Sequence, residues 1–179
     1  DAVTATYTRT TGTGVGTYTI TATLTPLNVL SNYDIVYNTA SFTINPATPV
    51  VTVTGGTYTY TGSAVVLSAS PSNTGTGRSY TYSYSGINGT NYAATSTAPT
   101  SVGTYSVTAT VAADGNYVSA SGSASFEITK KSASVTPVAV SKTYGDVDPA
   151  LSGSLSGFIT DDAVTATYTR TTGTGVGTY

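Results

Sequence analysis

The side chains able to do chemistry are few in this 179-residue chain, and their spacing decides which reactions are worth weighing. There is no His and no Cys, so the usual general base and the thiolate nucleophile are both missing. A Ser or Thr hydroxyl would need a lysine as its base, but Lys130, Lys131 and Lys142 gather at one junction of the chain. The carboxylates pair as near neighbours, Asp146 with Asp148 and Asp161 with Asp162. Glycosidase chemistry needs two carboxylates facing each other across a cleft, which such neighbours do not supply. The chain is therefore expected not to be an enzyme and to carry no cofactor. Asp146 and Asp148 are calcium candidates, because Ca²⁺ collects several oxygen ligands and often does so at junction loops. No DxDxDG-type loop surrounds them, and turn or cap carboxylates are the plainer reading.

Tyr58, Tyr60, Tyr82 and Tyr84 are the candidate ligand-facing aromatics, which would suit a glycan if they prove exposed. Packing into a core is the competing reading for each. Asn88-Gly89-Thr90 fits a glycosylation sequon, a compositional signal only. A lysine–asparagine isopeptide staple would need adjacency in space that linear sequence does not display.

The elements that would position these residues follow from composition. Charged residues make up 8% of the chain and the formal net charge is −2. Nucleic-acid binding is excluded, because phosphate contacts need clustered Lys and Arg. Forty threonines stand where most proteins put charge. Threonine alternating with Val, Ile, Tyr or Ala is strand composition, since β-branched and aromatic side chains suit a pleated surface. Hydroxyl-rich, charge-poor strands read as extracellular, at a cell surface or in a secreted fibre. No run of about 20 apolar residues is present, so this segment is not expected to insert into a membrane.

Residues 162–179 repeat residues 1–18 without a change, at an offset of 161. A fixed period signals a tandem array. A fainter repeat lies within it. Val15-Gly16-Thr17-Tyr18-Thr19-Ile20-Thr21-Ala22-Thr23-Leu24 parallels Val102-Gly103-Thr104-Tyr105-Ser106-Val107-Thr108-Ala109-Thr110-Val111, and each leads to Asn-Tyr and then to Ser-Phe-x-Ile. Two related domains, A and B, therefore alternate. Residues 1–46 form the C-terminal part of A, residues 47–131 form B, and residues 132–179 form the N-terminal part of the next A. Joining Ser132–Asp161 to Asp1–Pro46 gives a complete A of 76 residues.

In B, strands are expected at Val50–Val53, Thr57–Tyr60, Val65–Ala69, Ser79–Tyr84, Tyr92–Thr95, Gly103–Val111 and Ser123–Ile128, with turns between them, one of them at Pro71–Gly77. Period-2 alternation places Tyr18, Ile20, Ala22 and Leu24 inward in A, and Tyr105, Val107, Ala109 and Val111 inward in B. Phe42, Ile44, Phe126 and Ile128 should face inward from the closing strands. Seven short strands in B point to an immunoglobulin-like β-sandwich, without the Cys-Trp-Cys core of antibody domains. The fold class is all-β, as tandem sandwich repeats, with a β-grasp-like module as the alternative for A.

Tyr144-Gly145-Asp146-Val147-Asp148-Pro149, Leu155-Ser156-Gly157-Phe158, Val15-Gly16-Thr17-Tyr18 and Asn32-Tyr33 together resemble the MBG domains (YGX type) of large bacterial surface proteins and adhesins. B is similar to the Ig-like repeats found beside them. The resemblance implies a surface-displayed, non-enzymatic array and brings no catalytic residues. Three jobs follow as expectations. One is a stalk, spacer or adhesive fibre in a covalent array, partnered by neighbouring repeats of its own chain. Another is a filament of identical chains joined by strand complementation. The last is an adhesin module that binds glycans or host cell surfaces.

Overall fold

The computed structural model describes residues 2–72 and 78–179. Its strands are β1 (Thr4–Arg9), β2 (Gly16–Thr25), β3 (Ala40–Ile44), β4 (Val50–Val53), β5 (Thr57–Thr59), β6 (Ala69–Ser72), β7 (Tyr80–Ile87), β8 (Gly103–Val111), β9 (Ala120–Thr129), β10 (Ser134–Pro137) and β11 (Gly153–Ser156). Two short 3-10 turns, Leu27–Asn32 and Thr160–Asp162, are the only helical pieces among the described residues. The all-β expectation holds, and no helix is long and apolar enough to cross a membrane. The strands form sheets in the orders β1-β2-β3, β4-β6, β5-β9-β8-β7 and β10-β11.

By its contacts the chain divides into two compact units. The first comprises Asp1–Val53, Ala69–Tyr82 and Thr108–Ser123. In it, β1 runs antiparallel to β2 from Thr4↔Thr25 to Arg9↔Ile20, and β2 runs antiparallel to β3 from Gly16↔Ile44 to Ile20↔Ala40. Alternation along β2 leaves Tyr18, Ile20, Ala22 and Leu24 half-buried and the threonines between them exposed. Those threonines pair across strands: Thr4 Oγ1 lies 2.9 Å from Thr25 Oγ1, and Thr8 Oγ1 3.4 Å from Thr21 Oγ1. Such hydroxyl pairs stabilise a sheet face modestly, without charge. Val51, Val53, Ala109 and Val111 form the buried apolar set of this unit.

The second unit comprises Thr54–Ser68, Ser83–Val107 and Ala124–Tyr179. β5 runs parallel to β9, from Thr57↔Glu127 to Thr59↔Thr129. Phe126 is the hub of its core. The ring of Tyr105 stacks on it at 5.5 Å, while Tyr58 and Tyr84 meet it edge-on at 6.1 and 6.2 Å. Tyr105, Val107, Phe126 and Ile128 are buried, as their alternation predicts.

Several expectations need correction. The strand expected at Val65–Ala69 begins only at Ala69, because Val65 N–H is taken by the Pro99 carbonyl and the ladder with β4 opens at Val53↔Ala69. Pro71, expected in a turn, sits in β6 opposite Val51. A two-stranded edge accepts a proline that a central strand would refuse. The rest of that turn, residues 73–77, lies outside the described residues. Tyr92–Thr95 is reduced to a bridge between Thr95 and Tyr84. Phe42 is 42% exposed, because in its unit Tyr18 and Arg9 lie against it in place of the ring of tyrosines that encloses Phe126.

Candidate functional site

The repeated Val-Gly-Thr-Tyr motif builds one local device three times. Tyr18 OH donates to Gly14 O, Tyr105 OH to Ser101 O and Tyr179 OH to Gly175 O, each at 2.7 Å and each four residues back. The tyrosine thus ties the loop before its strand to the strand itself. Glycine is required inside the loop. A Cβ on Gly103 would come within 2.7 Å of Thr90 Cγ2 and 3.1 Å of Tyr105 OH. Burial pushes the Tyr105 hydroxyl above its ordinary pKa, with neighbouring Tyr92 acting the same way. Alternation places Tyr18 and Tyr105 inward; the hydroxyl bond has no signature in hydrophobic periodicity. Tyr105→Phe is expected to cost about 0.5–1.5 kcal/mol, the net worth of one hydrogen bond within a protein, read as a lower urea midpoint at an unchanged slope.

The sharpest turn signal in B, Asp114-Gly115-Asn116-Tyr117, organises the first clamp. Asp114 Oδ1 accepts the N–H groups of Asn116 and Tyr117, both at 2.9 Å. Its other oxygen pairs with Arg78 at 3.0 Å, and the Arg78 guanidinium lies 5.5 Å from the centre of the Tyr117 ring. The loop so fixed reaches Val15 in A and Ala47 at the start of B. Val15 N–H donates to Asn116 Oδ1 at 3.0 Å, Ala47 N–H to Asn116 O at 2.9 Å, and Val118 N–H to Ala47 O at 3.0 Å. The cleft beside these bonds holds about 290 Å³ and is lined by residues of the same clamp, among them Thr13, Ile44 and Asn45.

A second clamp joins Tyr60 to Asp162, with the hydroxyl 2.9 Å from Oδ1 and 3.2 Å from Oδ2. The bond to Asp162 holds the Tyr60 pKa above its ordinary value, and lost hydration and the carboxylate charge push the same way. A tyrosine pKa raised by folding gives stability that is full below the unfolded value of about 10 and lost as pH rises through the folded value. Tyr60→Phe should remove this alkaline dependence, with phenolate absorbance and melting followed together across that range.

The other predicted site residues take structural places. Asp148 faces Lys142 Nζ at 2.7 Å and Arg170 at 2.6 Å, and its pKa is lowered, first by the Lys142 bond and then by Arg170. Lys142 also donates to the Asp146 carbonyl at 2.7 Å. The carboxylate proposed for calcium thus answers two cations, and no cluster of three potential metal ligands occurs among the described residues. Among the four candidate aromatics, Tyr84 is 2% exposed and belongs to the core, which corrects its ligand-facing assignment. Tyr58 is half-buried with its edge on Phe126, Tyr82 OH receives Ala69 N–H at 3.0 Å, and Tyr60 OH is held by Asp162. The structure does not gather them into one patch. It brings together Asn116 and Tyr60 with junction residues, which the sequence offered only as a turn and an aromatic.

Residues 133–179 match the family described as the MBG domain (YGX type). The matched stretch holds the Tyr144-Gly145-Asp146 motif and the second copy of the repeated segment. No curated protein and no solved structure matches the chain.

Proposed function

We propose that the chain is a structural repeat of an extracellular bacterial surface array, working as a stalk or spacer without catalysis. The observation that carries this reading is the clamp at the first junction, where Val15 N–H donates to Asn116 Oδ1 and Ala47, within the Asn45-Pro46-Ala47-Thr48-Pro49 connection, donates to Asn116 O and accepts from Val118 N–H. Proline stiffens such a connection by fixing φ, and the clamp removes the remaining freedom to swivel. The Tyr60–Asp162 bonds do the same beyond Thr129-Lys130-Lys131-Ser132. Occurrence of the matched family in surface proteins supports the location. For B, the order β5-β9-β8-β7 and the tyrosine tied back at the start of β8 support the immunoglobulin-like sandwich, which uses a tyrosine corner of that kind.

Chains of two, four and six periods measured by small-angle scattering test the reading. The longest dimension should grow linearly, by roughly 70–80 Å per period of strand-built domains. Asn116→Ala should leave the melting temperature nearly unchanged while shortening the mean extension. Growth with the square root of period number in the unmodified chains would mean flexible beads, and the stalk reading would fail.

A further inference from the structure

β5 and β9 run side by side in the same direction, from Thr57↔Glu127 to Thr59↔Thr129, with β5 at the edge of its sheet. Glu127 N–H donates to Gly56 O and Tyr60 N–H to Thr129 O, each at 2.9 Å, so both ends of the short ladder are tied. Thr129 Oγ1 adds a bond to Tyr58 O at 3.2 Å. The Tyr58 ring meets Phe126 edge-on. A Cβ on Gly55 would run into the Ser125 carbonyl oxygen, so the approach to β5 also lies against β9. A parallel pair is slightly less stable per residue than an antiparallel one. The direction of β5 therefore adds nothing to stability at rest. What it changes is the response to a pull.

B is joined to A sequence on both sides, so tension along the chain enters β5 from Thr54 and leaves β9 at Lys130. In a parallel pair these two points lie at opposite ends of the ladder. The strands are then drawn past each other along their common axis, and every bond between them is strained at once. In an antiparallel pair both points would lie at one end, and the bonds would open in turn. We propose that β5 and β9 form a shear lock, which keeps B folded while tension is drawn through the chain. The chain has no cysteine, so no disulfide holds B shut. Resistance to sliding falls to the ladder bonds, the Thr129 hydroxyl and the Tyr58 ring against Phe126. Forced unfolding follows the unfolding rate and not the equilibrium stability, so a short ladder placed across the line of load decides it. The lock rests on the stalk reading only for the source of the load.

Single-molecule pulling on the full 179-residue chain tests it, and the absence of native cysteine lets introduced pairs take the handles cleanly. One chain carries Thr54→Cys and Lys130→Cys, which loads the ladder from opposite ends. Another carries Thr61→Cys and Lys130→Cys, which loads it from one end. All three positions are exposed, so no change touches a core. Bonds strained together share the force, so the first pair should rupture at roughly twice the force of the second or more. Equal forces, or a lower force in the first pair, would overturn the proposal. Proline at two neighbouring positions gives a second readout. Tyr60→Pro removes the N–H that bonds Thr129 O. The Thr59 N–H by alternation points away from β9, and an edge strand accepts proline there. With handles at 54 and 130, Tyr60→Pro should lower the rupture force and Thr59→Pro should leave it close to the parent's. Equal forces from the two variants would also overturn the proposal. The stalk reading fails separately, by scattering. A flexible array would leave the direction dependence inside B intact, and a stiff array without direction dependence would leave the stalk reading in place.

Discussion

Phe126→Ala should destabilise the chain by about 3–5 kcal/mol, the range for truncating a buried aromatic. Phe126 is 2% exposed, and three tyrosine rings rest on it. Removing it deprives Tyr58, Tyr84 and Tyr105 of their shared surface at once, and two of the three meet it edge-on, a geometry that adds to simple area burial. Domains of this size are stable by only about 5–15 kcal/mol. A loss of this size lowers the melting temperature by roughly 12–40 °C at about 4–8 °C per kcal/mol. Calorimetry of the whole chain checks it. The chain has no Trp, so tyrosine emission reports the same event. Phe126→Leu, which keeps most of the volume, should cost less than half as much. Equal effects of Leu and Ala would mean that the ring cluster is not what holds this core.

The second large effect falls on a residue with no side chain. A Cβ on Gly122 would run into the backbone carbonyl oxygen of Val51. That neighbour is main chain and cannot swing aside, so either β4 or β9 must shift. Gly122→Val is expected to cost about 1–3 kcal/mol or more, as overpacking does, and to expose Val51, which is 8% exposed in the folded chain. Ser121→Val, one residue away on the exposed side of β9, should stay within about 0.5 kcal/mol. Urea midpoints of the two variants make the comparison. If both behave alike, the close approach of the two backbones does not matter.

β9 also shows how far the sequence could be read. Its closing half, Ser123–Ile128, is legible from Phe126 and Ile128. Its opening, from Ala120, is not, because Ala120, Gly122 and Ala124 are small and carry little strand preference. The smallness of Gly122 goes with the Val51 backbone lying against it, a tertiary fact absent from local pattern. β8 was legible in full, Gly103–Val111, because one face is unbroken Tyr, Val, Ala and Val. The clamps were legible only as parts. Asn116 reads as a turn residue and Tyr60 as an aromatic, and neither names a partner 101 or 102 residues away.

The first clamp is made chiefly of uncharged groups: two backbone amides meeting carbonyls, and a third meeting the Asn116 amide oxygen. Dissolved ions weaken attraction between exposed charges once their separation passes the Debye length, about 8 Å at physiological ionic strength and 3 Å in molar salt. They have little purchase on neutral hydrogen bonds. Together with a surface on which threonine replaces Lys and Glu, this would leave the A-to-B connection of the proposed stalk little affected by salinity, apart from the Asp114–Arg78 pair that holds the loop. Such a stalk would hold the same reach in fresh water as in brine.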